Sequence, residues 1–144
     1  MVPEPCKLLR LPHSLPEQRD TTVTSTVEIR CLSAKARDLI GDPANTIHLS
    51  PVSLWEISLK FSLGKLQMTG VVPEDLVGIA HQMDLSLTAP TPEESAGFHQ
   101  LPRFEHEDPF DRMLIWQCLQ RRWTLISRDR GFDAYRALGL QTAW

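Results

Sequence analysis

From Leu32 onward the sequence alternates short runs of β-forming residues with segments that carry helix start and stop signals, and nothing else constrains its fold as strongly. Ser33 is a good N-cap for a helix over Ala34–Ile40, which Gly41 and Pro43 stop. Thr46–Leu49 predicts a strand. Ser50 then caps a helix whose first residue is Pro51, the position where the missing N–H does no harm. Leu54, Ile57 and Phe61, with Trp55 and Leu59 beside them, predict a wide apolar face on that helix, and Gly64 closes it. Another helix is expected from Pro73–Asp75 to Met83, then a strand at Leu85–Thr88 and a helix over Glu93–Gln100. Asp108 is the N-cap of a helix that opens on Pro109 and reaches Trp123. The strand Leu125–Ser127, the helix Asp133–Leu138 closed by Gly139, and a last strand within Leu140–Trp144 complete the series. Short apolar strands separated by helices imply βαβ units, hence an α/β fold with a mostly parallel sheet flanked by helices.

Residues 1–31 read differently. Four of the eleven prolines fall in the first sixteen positions and apolar residues are sparse. Thr22–Ile29 alternates weakly, with Val23, Val27 and Ile29 on one side. This segment is expected to be disordered or to supply an edge strand, and 32–144 to form the domain proper.

The total of 144 residues fits one domain with a real core, and 42% hydrophobic with 23% charged residues is ordinary for a globular protein. No apolar run approaches the ~18–20 residues that span a bilayer, and the N-terminus has no h-region, so a cytoplasmic protein without a membrane partner is expected. Cys6, Cys31 and Cys118 are scattered, with no zinc-like spacing, and Cys118 reads as a small buried hydrophobe. The net charge of -3 argues against a protein that coats nucleic acid, but not against one that cuts it, because bound cations invert the local sign.

In parallel sheets, ligands bind outside the carboxyl ends of the strands, so acids at those positions are the candidates. Glu56 lies in the second turn of the helix that follows the strand Thr46–Leu49, Asp111 lies in the first turn of the helix beginning at Pro109, and Asp129 follows the strand ending at Ser127. Three carboxylates in one crevice could hold Mg²⁺ or Mn²⁺, which lowers the pKa of bound water and neutralises charge on a phosphodiester. Each acid also has a structural explanation. Asp111 suits the helix dipole, Asp108 is an ordinary cap, Asp129 lies in a charged loop, and Glu56 borders an apolar face. Arg112, Arg128 and Arg130, adjacent to the carboxylates, are the candidate phosphate contacts. His99 and His106 flank LPRFE and read as loop packing or as support behind a site more than as metal ligands, and His48 and His81 read as structural. The chain has no P-loop, which weighs against another kind of phosphoryl-transfer enzyme.

Three stretches together, LSPVSLWEISLKFSLGKL (Leu49 to Leu66), HEDPFDRMLIWQ (His106 to Gln117) and WTLISRDRGFDAY (Trp123 to Tyr135), resemble the PIN-domain family, most of all VapC-type toxins of toxin–antitoxin pairs. The resemblance covers Leu32 to Trp144. It implies a three-layer PIN-like domain and a Mg²⁺- or Mn²⁺-dependent endoribonuclease. It further implies an RNA substrate, a homodimer, and inhibition by a cognate antitoxin whose tail enters the groove. Carried over residue by residue, it gives Glu56, Asp111 and Asp129 the catalytic, metal-binding positions, and Asp108 matches a further acid of open role. The chain departs from the family at its start. Such proteins open on an apolar strand that ends in Asp-Thr, and MVPEPCKLLRLPHSLPEQ has no such form; Asp20–Thr21 has only the dipeptide. The alternative expectation is therefore a catalytically impaired PIN-like domain that binds antitoxin or RNA without cleavage.

Overall fold

Local hydrogen bonds fix where the helices begin. The Ser33 hydroxyl accepts the Ala36 N–H at 3.0 Å and starts α1 (Ala34–Gly41). Ser50 accepts from Val52 N–H ahead of Pro51, and α2 runs Pro51–Ser62. Beyond α2, Gly64 adopts φ +68°, a left-handed conformation open to a residue without Cβ, and its N–H donates to the Phe61 carbonyl. Next come α3 (Asp75–Gln82) and α4 (Pro92–Gly97). Thr91 and Glu94 satisfy each other's backbone N–H in a capping box at the start of α4. The helix expected through Gln100 changes after Gly97 into one tighter turn, Phe98–Gln100. Asp108 accepts from Phe110 N–H and Asp111 N–H at 2.9 and 3.2 Å and starts α5 (Pro109–Arg121). Arg122, at φ 55°, ends α5 short of Trp123. The segment expected as a helix from Asp133 is a 3₁₀ helix over Arg130–Leu138.

The computed structural model describes residues 6–9, 33–105, 107–127 and 129–144. Five strands, β1 (Cys6–Leu9), β2 (Thr46–Leu49), β3 (Ser86–Leu87), β4 (Thr124–Ile126) and β5 (Gln141–Ala143), form one sheet in the order β3-β2-β1-β4-β5. Every neighbouring pair is parallel, so the chain has an α/β fold. One expectation is corrected. The centre of the sheet is filled from the N-terminal segment that was expected to be disordered or at an edge. Leu9 stands opposite both Leu49 and Ile126. A strand with parallel neighbours on both sides draws hydrogen bonds from each, so four residues hold their place with prolines nearby in the sequence. Thr22–Ile29 lies outside the described residues.

Two apolar clusters pack against this sheet. Leu114, Ile115, Cys118, Leu125, Phe132 and Tyr135 belong to one; Ala36, Ile47, Leu49, Ile57, Leu85 and Ile126 belong to the other. Leu125 and Ile126 are consecutive in β4 and so point to opposite faces. Cys118 is the buried hydrophobe its neighbours predict, and burial pushes its thiol pKa far up. His48 on β2 is structural as expected. Its Nδ1 lies 2.8 Å from Thr88 Oγ1, and its ring stacks on Trp123 with centroids 4.0 Å apart. Burial, then the charge of Arg121, holds its pKa below the usual imidazole value. No helix among the described residues is long and apolar enough to cross a membrane.

Polar side chains of α5 tie down the connections around it. Trp116 Nε1 donates to Glu94 O at 2.8 Å, and Gln117 Nε2 to Thr88 O at 2.9 Å. Arg121 donates to both Glu94 carboxylate oxygens, at 2.6 and 2.9 Å, and to Ala89 O. That pairing with Arg121 holds the buried Glu94 below the usual carboxylate pKa, outweighing desolvation, which acts the other way. A depressed folded pKa contributes stability above the unfolded value of ~4.3 that is lost as pH falls through the folded pKa. Glu94→Gln should therefore lower stability at pH 7 by about 2–3 kcal/mol. It should also flatten the acid limb below pH ~4.3, as followed by urea unfolding at a series of pH values.

Candidate active site

The parallel register brings the ends of three strands level, since Leu9, Leu49 and Ile126 are opposite one another. Two of the chain connections leaving this edge start with a buried serine, Ser50 and Ser127. Ser50 leads directly into α2. Ser127 Oγ accepts the Asp129 N–H at 3.1 Å and so sets the turn that carries Asp129.

Glu56 on α2 is only 4% exposed, and Asp111 on α5 only 2%. The two helices pack together, and the residues preceding these acids, Trp55 and Phe110, meet edge to face with centroids 4.9 Å apart. Glu56 and Asp111 thus lie buried on two helices that pack against each other. The Asp108 cap fixes the start of α5 and so the place of Asp111 on it. Lys60, one turn beyond Glu56, donates from Nζ to Glu56 Oε1 at 2.6 Å. The i,i+4 spacing was a legible signal for that pair.

Asp129 is half-buried, and its Oδ1 accepts Gly131 N–H at 2.8 Å, capping the 3₁₀ helix Arg130–Leu138. Among the described residues, no three His, Cys, Asp or Glu side chains converge as a metal-binding group. By donor type, the buried pair Glu56 and Asp111 nevertheless fits a hard cation, since Mg²⁺ commonly takes one or two carboxylates and keeps several waters.

The cations expected around the acids separate. Arg112 is buried, donates from Nη2 to Leu101 O at 3.0 Å, and lies over the Phe98 ring. It was expected as a phosphate contact, and the structure places it inside the fold instead of on the surface. Its guanidinium supplies hydrogen bonds to an internal loop and so serves the fold. Arg130 is exposed next to Asp129, while Arg128 and His106 lie outside the described residues, as does Asp20. His99 is exposed on the turn Phe98–Gln100.

The wide apolar face expected on α2 is also corrected. Its buried residues are Ser53, Glu56 and Ile57, whereas Trp55, Leu59, Phe61 and Leu63 are exposed, Trp55 by 64%. The helix turns its carboxylate inward, and much of its apolar surface faces out.

The chain matches no protein-family model and no curated protein.

The placement of Asp108 yields a direct test of its role. As a cap, Asp108→Ala should cost about 1 kcal/mol in chemical unfolding, and Asp108→Asn or Asp108→Ser should recover most of that loss.

Proposed function

We propose that this chain is a three-layer PIN-like domain of the VapC type and acts as a metal-dependent endoribonuclease, the toxin of a toxin–antitoxin pair. The observation that carries the reading is the burial of Glu56 and Asp111 beside each other's helices, where the parallel strands end. Two carboxylates withdrawn from water are costly unless a cation or hydrogen bonds meet them. The proportions of the motifs that resemble the family add support, because Glu56, Asp111 and Asp129 are the acids they assign.

In this proposal Glu56 and Asp111 hold Mg²⁺ or Mn²⁺, with Asp129 at the margin. When bound, the metal supplies Lewis-acid stabilisation of the phosphodiester and a more acidic water. The protein's part is to hold the two carboxylates in fixed places and largely out of water. Asp108 orients the first turn of α5, and the contact between Trp55 and Phe110 fixes one helix against the other. Arg130, exposed and next to Asp129 in the chain, would meet an RNA phosphate in this reading. A cognate antitoxin and a homodimer belong to the same proposal. Trp55, Leu59 and Leu63, spaced i, i+4, i+8 and exposed, offer the antitoxin an apolar stripe next to the acids.

A second reading, a domain that grips RNA or antitoxin without cutting, is favoured by one specific observation. In the sequence, β1 ends at Leu9 and is followed by Arg10, with no acid before Glu17, where the family has its aspartate. Incubating the protein with a structured RNA separates the two. The nuclease reading expects cleavage with Mg²⁺ or Mn²⁺, none with chelator, and a loss of about a hundredfold or more in Asp111→Asn. Cleavage that ignores chelator and mutation would overturn it. RNA retained without cleavage in every metal condition would establish the second reading in its place.

A further inference from the structure

A glutamate and a lysine four residues apart on an open helix form an ordinary, weak surface pair. The pair on α2 differs in its surroundings. The Glu56 side chain is 5% exposed, and the Lys60 ammonium reaches it at 2.6 Å from a side chain that is 27% exposed. One end of the pair is fixed inside the protein, and the other reaches in from the rim. A buried carboxylate needs a positive partner, and here the chain itself provides one.

A divalent cation on the same carboxylate would bring two like-signed charges within a few ångströms, in surroundings that screen poorly. The two would therefore compete for Glu56, where Lys60 already holds Oε1. Glu56 is held by its burial on α2, whereas Lys60 has a flexible four-carbon stem and access to water. Lys60 is the member able to leave.

We infer that Lys60 is a built-in counter-ion for Glu56 that a divalent cation must displace, so that the site exchanges an ammonium for a metal when it loads. The inference rests on the proposed role of Glu56 as a metal ligand. It makes Lys60 a positioning residue that acts through Glu56. It also sets the divalent-ion concentration at which the site fills.

The test is a MnCl₂ titration of the full chain, read as the shift in thermal midpoint, for the natural protein, Lys60→Met, Lys60→Arg and Glu56→Gln. Lys60→Met is expected to reach half-saturation at about tenfold lower Mn²⁺, the order of effect of losing one competing ion pair. Lys60→Arg, which keeps the charge, should restore the natural response, and Glu56→Gln should abolish the response. Lys60→Gln takes the place of Lys60→Met if the latter does not fold. A purely structural role for Lys60 would lower the midpoint without Mn²⁺ and leave the half-saturation point where it was. That result overturns the inference while leaving Glu56 a ligand. Folded variants and natural protein that all ignore Mn²⁺ would overturn both the inference and the metal site it rests on.

Discussion

Helix α5 lies against the sheet with most of its circumference buried, and its polar side chains complete the hydrogen bonding of the chain around it. Leu101, Thr88, Ala89 and Glu94 each have a backbone carbonyl that accepts from Arg112, Gln117, Arg121 or Trp116. Connections of this kind would normally satisfy such groups in water, and inside a protein an orphaned carbonyl is costly. The helix therefore acts as a common partner for segments that are far apart in sequence. Sliding or rotating it would break several of these bonds together, which fixes Asp111 in its first turn more firmly than the Asp108 cap could alone.

That rigidity bears on the electrostatics of the buried carboxylates. Glu56 and Asp111 are buried on two helices that pack together, with Trp55 against Phe110 between them. The acids cannot easily relax toward water, so compensation has to come to them. Lys60 supplies part of it to Glu56 from the same helix. Asp129 is differently placed, because its turn is closed by its own hydrogen bonds to Ser127 and Gly131. The three acids that look alike along the sequence thus have unlike freedom in the fold.

What could be read in the sequence was mainly what is decided within a few residues. Ser33, Ser50 and Asp108 begin helices where expected, because a cap depends on the next three residues alone. The strand Thr46–Leu49 and the parallel α/β arrangement were legible for a related reason, since the alternation of short apolar runs with capped helices leaves few topologies. The central strand was not legible. Cys6–Leu9 owes its place to partners distant in the chain, and its local composition, with Pro3, Pro5 and Pro12 close by, gives little sign of it. The burial of Arg112 and the exposure of Trp55 were missed for the same cause. Charge and apolarity set an average preference, but the rotation of each helix against its neighbours decided which side chain went inward.

The position of β1 also governs the order in which the sheet can assemble. It pairs Lys7 with Ile47 on one side and with Thr124 on the other, so the first strand of the chain has to wait for nearly the last. Pairings so distant in sequence bear the loop-closure entropy before they gain burial, and folds dominated by them form slowly. Until β4 arrives, one side of β1 is an unpaired edge able to recruit a strand from another chain. The window for misassembly during synthesis is therefore set by the N-terminal strand, and it closes only when the region around Thr124 has emerged.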